Sequence, residues 1–222
     1  MATLATSIAT SDVATAAAAA AAVILPDEHD GTAISRSSLY AQIGALQQRL
    51  AALGVGAQQA VSLALPNGAE FVIAFLAVAA QRAIAAPLNP AYTEAEFEFF
   101  IADVQSVLVV VPRGAVAGAG AAGAAPVVRA ATRHGAAVAE VWWEPELGQV
   151  QMELVVPGRL LSPPSGDGRA AVLTAQPEDV ALVLHTSGTT GRPKAVPLTH
   201  RNLTRTMGVP STVQLVERGL AG

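Results

Sequence analysis

One nine-residue segment has the residue types needed to hold a polyphosphate. It reads Thr-Ser-Gly-Thr-Thr-Gly-Arg-Pro-Lys from Thr186 to Lys194 and follows an apolar run. Gly188 and Gly191 can adopt positive φ, so neighbouring backbone N–H groups can converge on one point. The hydroxyl groups add donors without bulk, and Lys194 adds a positive charge. Together these features predict a concave surface of hydrogen-bond donors for phosphate groups.

The spacing within this segment differs from that of a Walker A loop. A Walker A loop has four residues between its glycines and ends in Gly-Lys-Ser/Thr. Here two residues separate Gly188 from Gly191, and Pro193 precedes Lys194. On composition and spacing alone, a Gly/Thr-rich hairpin turn with an incidental lysine is the alternative interpretation.

The whole segment resembles the signature of the adenylate-forming superfamily. That superfamily includes acyl-CoA synthetases, 4-coumarate–CoA ligases, firefly luciferase and the adenylation domains of peptide synthetases. Residues 66–67 and 87–90 also resemble its N-terminal region, so the resemblance extends over about residues 23–207. Within the superfamily, the sequence is most similar to the oxalyl-CoA synthetase and 4-coumarate–CoA ligase-like branch. Two stretches carry this similarity: residues 184–186 with 192–194, and residues 86–93 with 96–99.

The resemblance implies an ATP-dependent, AMP-forming acid–CoA ligase. In that reaction an acid carboxylate attacks the α-phosphorus of ATP, an acyl-adenylate and diphosphate form, and coenzyme A then displaces AMP. The implied substrates are a small carboxylic acid, ATP and coenzyme A, with Mg²⁺ as the metal cofactor. No residue of this chain is assigned as catalytic or as a metal ligand, because the superfamily's residues for those roles lie downstream of the loop. The residues implied to bind the ATP phosphates are Thr186, Ser187, Gly188, Thr189, Thr190, Gly191 and Lys194.

The sequence departs from the superfamily pattern in two places. Ala195 stands where glycine is usual, and we expect a mild effect because Val196 indicates extended backbone. A helix predicted after Thr199 is interrupted at 208–210, so we expect residues 208–222 to be a divergent tail from a truncated gene prediction or an alternative transcript. On that expectation this N-terminal part of a ligase is poorly soluble and inactive alone. A non-catalytic phosphate-binding or interaction module, or an unrelated α/β binding module, is the alternative.

Strands alternate with helices ahead of the loop, which predicts an α/β fold of layered sheets with helices on both faces, the incomplete N-terminal domain of an adenylate-forming enzyme. Apolar runs predict strands at 60–65, 84–88, 107–111, 137–143, 152–156, 180–184 and 196–198, the 180–184 strand being buried on both sides. A small hairpin is predicted from 23–25 and 32–34. The segment 114–125 contains only Gly, Ala and Val and predicts a flexible surface loop.

Helix boundaries follow from capping signals. Leucine and isoleucine recur at helical spacing from Leu39 to Leu53, with Ser38 as the expected N-cap and Gly54 as the stop. Capping-box spacing recurs before two further helices. Those pairs are Asn67 with Glu70, and Thr93 with Glu96, and another short helix is expected at 126–134, closed by Gly135.

Further expectations concern individual side chains, the composition, the N-terminal extension and the compartment. Trp142 and Trp143 should point to opposite faces of one strand, one ring buried and the other half-exposed, although a nucleotide or substrate platform is the alternative. His185 ends a buried strand and is expected to be structural, with contact to substrate or nucleotide as the alternative. A net charge of −4 and the absence of cysteine argue against nucleic-acid binding, thiolate metal sites and disulfides. Residues 1–22 are expected to be a disordered Ala-rich extension, and a cytoplasmic location is expected, with peroxisome and plastid left open.

Overall fold

The computed structural model describes residues 21–24, 33–116, 124–161, 171–186 and 193–207. The expected extension at 1–22 therefore lies almost wholly, and the tail at 208–222 wholly, outside the described residues, as do residues 117–123 of the Gly/Ala-rich segment. The elements in chain order are β1 Ala21–Ile24, β2 Ala33–Ser35, α1 Arg36–Ala52, β3 Ala60–Leu63, α2 Ala69–Ala80, β4 Ile84–Pro87, α3 Glu94–Asp103, β5 Leu108–Pro112, α4 Pro126–His134, β6 Ala137–Glu144, β7 Gln149–Val156, β8 Val180–Thr186, β9 Lys194–Thr199 and α5 His200–Met207.

The main sheet of the described residues has seven strands in the order β7-β6-β5-β3-β4-β8-β9. Its five inner strands run parallel, and β7 and β9 join the two edges antiparallel to their neighbours. Strands β1 and β2 pair antiparallel in a separate two-stranded sheet, which confirms the predicted hairpin. The predicted α/β class is confirmed, with the sheet mixed at its edges rather than wholly parallel.

Both faces of the sheet are covered by helices. Along β5, Leu108 and Val110 pack with α1 and α2, whereas Val109 and Val111 pack with α3 and α4. All four side chains are fully buried. This alternation is the period-2 signature of a strand buried on both sides. Within the described part of the chain, every helix is too short or too polar to cross a bilayer.

Two of the capping predictions are confirmed. Thr93 and Glu96 form a capping box, since Thr93 Oγ1 accepts from Glu96 N at 3.3 Å and Glu96 Oε2 accepts from Thr93 N at 2.7 Å. Helix α4 runs from Pro126 to His134 and is closed by Gly135 at its C-cap, whose φ of 90° is left-handed. Trp143 is buried and Trp142 half-buried, as expected for neighbours on a strand.

Two other capping predictions are wrong. The N-cap of α1 is Ser35 rather than Ser38, because Ser35 Oγ accepts from Ser38 N at 3.1 Å. Helix α2 has Gly68 at its N-cap with no side-chain cap bond, so the Asn67/Glu70 box does not form. Glu70 Oε1 instead accepts from Trp143 N at 3.0 Å, a contact that links α2 to β6.

Strand β8 also departs from prediction, because it is not buried on both sides along its length. Ala181 and Val183 are buried, but Leu184 is 41% exposed. The strand lies next to the edge strand β9, most of which is exposed, so its outer residues have fewer neighbours than those of β3 or β5. This lightly covered end of β8 is where the predicted phosphate loop begins.

Candidate phosphate-binding site

The two ends of the predicted loop are adjacent in the sheet. Thr186 is the last residue of β8, Lys194 is the first residue of β9, and the two are register partners across the antiparallel pair. Ser187, Gly188, Thr189, Thr190 and Gly191 lie outside the described residues, so their role stays a prediction. The described residues on either side of this segment, Thr186 and Lys194, are adjacent at the C-terminal end of β8.

Lys194 is exposed, and within the described residues its ammonium group makes no salt bridge. A lysine that is free of carboxylate partners is available to an anionic ligand. Ala195 lies in β9 as the register partner of His185 and is not among the positive-φ residues, so the expected mild effect of alanine at this position is supported by an ordinary strand conformation. Thr186 and Lys194 therefore lie side by side in the sheet with the lysine exposed, and their binding of phosphate stays a prediction.

A surface cavity of about 490 Å³ lies beside the exit of the loop. It is lined on one side by Ala95, Glu96, Phe99 and Phe100 of α3 and on the other by Pro193, the residue before Lys194. Phe99 is among the few large apolar side chains that are exposed in the described residues. The cavity shows that α3 borders the predicted site closely, although sequence spacing alone gave no sign of this neighbour.

His185 also contacts α3. Its Nε2 lies 2.9 Å from Oδ2 of Asp103, and its ring centroid lies 4.6 Å from that of Phe100. The side chain of His185 is only 6% exposed. These are contacts that a structural histidine makes, and its role stays a prediction. Sequence reasoning missed Asp103 because the two residues are 82 positions apart in the chain.

An ion pair fixes the other end of β8. Arg82 binds both carboxylate oxygens of Asp179, at 2.8 and 3.1 Å, and Asp179 Oδ2 also accepts from Gln176 N at 2.7 Å. Burial alone would raise the pKa of Asp179, but the hydrogen bonds from Arg82 and Gln176 outweigh it and lower that pKa. Asp179 is the residue before β8, so this pair attaches the beginning of the strand to the end of α2.

His200 lies beside the same pair at the first position of α5. It is fully buried, and its backbone N–H donates to the carbonyl oxygen of Asp179 at 3.1 Å. Burial lowers the pKa of His200. A hydrogen bond with the Ala79 backbone and the negative charge of the Asp179 carboxylate each oppose part of that shift. In the described ranges no group of three His, Asp or Glu side chains is arranged to hold a metal ion.

Comparison with known proteins identifies the family to which this site belongs. The sequence profile of the family described as AMP-binding enzyme matches residues 11–218, nearly the whole chain. The chain belongs to the AMP-binding enzyme family. The resemblance to adenylate-forming enzymes, and within them to CoA ligases, is thereby confirmed, and an unrelated binding module with a chance loop match is the wrong interpretation.

Relatives of this AMP-binding enzyme include a probable CoA ligase, CCL9, of Humulus lupulus, 40% identical over 162 residues, which are 69% of this chain and 27% of the relative. An oxalate–CoA ligase of Arabidopsis thaliana is 41% identical over 155 residues, 68% of this chain and 26% of the relative. Apo MatB from Rhodopseudomonas palustris matches in structure with a TM-score of 0.59 and 28% identity, covering 82% of this chain and 34% of MatB. The chain thus spans about a quarter of the length of these curated relatives.

Proposed function

We propose that the chain forms the ATP-phosphate-binding part of an AMP-forming acid–CoA ligase. One observation carries the proposal: the register pairing of Thr186 with Lys194, which holds both ends of the Gly/Thr-rich loop together and leaves the lysine exposed. Membership of the AMP-binding enzyme family supports the same conclusion. The other candidate ligands to the phosphates are Ser187, Gly188, Thr189, Thr190 and Gly191.

The chemical contribution of this loop is positioning and charge stabilisation. The acid carboxylate attacks the α-phosphorus of ATP, and diphosphate leaves with the electrons of the broken P–O bond. Amide and hydroxyl donors that hold the β- and γ-phosphates keep the leaving group in line, and Lys194 offsets its developing negative charge. Mg²⁺, when bound to ATP, neutralises part of the same charge. Coenzyme A then releases AMP from the acyl-adenylate.

The proposed acid is a small carboxylate such as oxalate, with 4-coumarate as the second candidate. The identities to an oxalate–CoA ligase of Arabidopsis thaliana and to one of Saccharomyces cerevisiae, at 41% and 32%, support oxalate. Similarity to a 4-coumarate–CoA ligase-like protein of Oryza sativa, at 34%, supports the alternative. Because the superfamily's catalytic residues lie downstream of the loop, we expect the purified chain to bind ATP without releasing diphosphate for either acid. Diphosphate release with oxalate or with 4-coumarate would overturn that expectation and would identify the acid. The alternative function is that of a non-catalytic phosphate-binding module.

The phosphate-binding role itself is tested by Lys194→Ala, with and without Thr189→Ala. Calorimetry with ATP and with tripolyphosphate should give affinity at least about tenfold weaker for the lysine variant, because a charge-assisted contact to the phosphates is lost. Lys194→Arg should retain most of the affinity, since the positive charge remains. Arg205→Ala removes another exposed cation, on α5, and serves as the control that should bind like the unmodified chain. Undiminished binding by the double variant would overturn the proposal.

A further inference from the structure

The end of β8 is attached to α3 by one buried side chain. His185 is the residue before Thr186, and its imidazole points away from solvent onto Phe100 and Asp103. Neighbouring residues on a strand point to opposite faces, so Leu184 and Thr186 lie on the other face, where both are exposed. His185, which lies between these two exposed neighbours, connects the end of the strand to a covering helix.

Asp103 occupies an unfavourable place for a carboxylate unless it has a cationic or donor partner. It is the last residue of α3, where the negative end of the helix dipole repels an anion. The contact with His185 Nε2 at 2.9 Å offsets that repulsion by supplying an N–H donor. The carboxylate itself is 38% exposed. His185 therefore gives Asp103 a hydrogen-bond partner from outside its own helix.

Helix α3 is a rigid base for such a contact. Its N-terminus has the complete Thr93/Glu96 capping box, and Phe97 and Ile101 are fully buried beneath it. Arg129 of α4 pairs with Glu94 in the first turn of α3 at 2.6 Å. A side chain fixed to this helix is consequently held in place relative to the sheet.

From this geometry we propose that His185 and Asp103 form a clamp whose function is to position Thr186 and Lys194 for triphosphate binding. The clamp acts through the backbone: His185 pairs with Ala195 and Thr186 with Lys194, so holding His185 also fixes the first residues of β9. The two residues are positioning residues that touch no phosphate. The inference rests on the proposed phosphate-binding function and assigns to that site a support that lies outside the loop.

The first test compares substitutions of His185 that separate hydrogen bonding from packing. His185→Leu keeps an apolar contact with Phe100 and loses the hydrogen bond to Asp103. In His185→Gln, the side-chain amide can place an N–H donor where the imidazole Nε2 lies. We expect His185→Leu to bind tripolyphosphate roughly three- to tenfold more weakly than the unmodified chain, because a displaced donor set loses affinity steeply. His185→Gln should recover most of that loss. Equal affinity of the leucine variant and the unmodified chain would overturn the clamp.

The second test uses two carboxylates of the same helix. Asp103→Ala removes the clamp, and Glu98→Ala removes an ion pair to Arg133 from a carboxylate of nearly equal exposure, 40% against 38%. Only Asp103→Ala should weaken tripolyphosphate binding and speed amide hydrogen exchange at residues 184–186 and 194–196. Exchange at these residues that is unchanged in Asp103→Ala would overturn the clamp whatever the affinity. Absence of triphosphate binding by the unmodified chain would instead overturn the proposed function, together with the positioning role built on it.

Discussion

At the scale of single residues, His200 links the stability of this chain to pH. Its imidazole is fully buried, and burial lowers its pKa below the ordinary value of about 6.5. At pH values between the two pKa values, the unfolded chain binds the proton more readily than the folded chain does. The neutral imidazole of His200 therefore contributes its full share of folding stability above about pH 6.5, and this stability is lost as the pH falls through the lowered pKa.

We expect the thermal midpoint of unfolding to decrease between pH 7.5 and pH 5.5, and the slope to be smaller in His200→Gln. The variant will be less stable at every pH because a buried side chain is changed, so the informative quantity is the slope rather than the midpoint itself. The pKa of Asp179 is lowered as well. The stability that its carboxylate contributes is present above about pH 3.9, its ordinary pKa, and is lost only in more acidic solution. Circular dichroism melting curves at five pH values check this, and parallel curves for the two proteins would contradict it.

At the scale of secondary-structure elements, two matched helix starts give a direct stability comparison. Thr93→Ala removes a capping box that is complete in the structure, and we expect it to lower the free energy of unfolding by about 1 kcal/mol. Asn67→Ala changes a residue of the same predicted pattern where no cap bond forms, and we expect less than about 0.5 kcal/mol. Urea unfolding curves measure both changes. Equal losses would show that the Asn67 side chain stabilises α2 by some other contact.

The same two helices show how far sequence reasoning reaches. Local patterns predicted the strands and helices well, because spacing and capping signals act over four or five residues. The Asn67/Glu70 prediction was wrong because Glu70 bonds the backbone of Trp143, 73 residues away, and no local pattern contains that competition. The loop was recognised from its own residues, but the contact between His185 and Asp103 depends on how α3 lies against β8. Such contacts arise from the tertiary arrangement, so the sequence alone could not supply them.

At the scale of the whole molecule, strand order decides which surfaces are left uncovered. The alternation of strands and helices predicted layers, but it did not predict that β3 would be central and that β7 and β9 would be antiparallel edges. In the described residues β9 pairs with β8 alone, so its outer N–H and C=O groups form an open sheet edge. The register partners Leu184 and Val196 are 41% and 38% exposed next to that edge. An apolar surface beside an open edge favours association between chains.

We therefore expect the purified chain to self-associate with increasing concentration, and Val196→Lys to reduce that association. A lysine on an edge strand opposes pairing with a second edge, because burying its charge is unfavourable and like charges meet across the contact. Val172→Lys introduces the same charge at a residue that is 51% exposed and outside any strand, so it controls for net charge. Light scattering over a concentration series distinguishes the outcomes. If both lysine variants reduce association equally, net charge is the cause and the edge of β9 is not the contact surface.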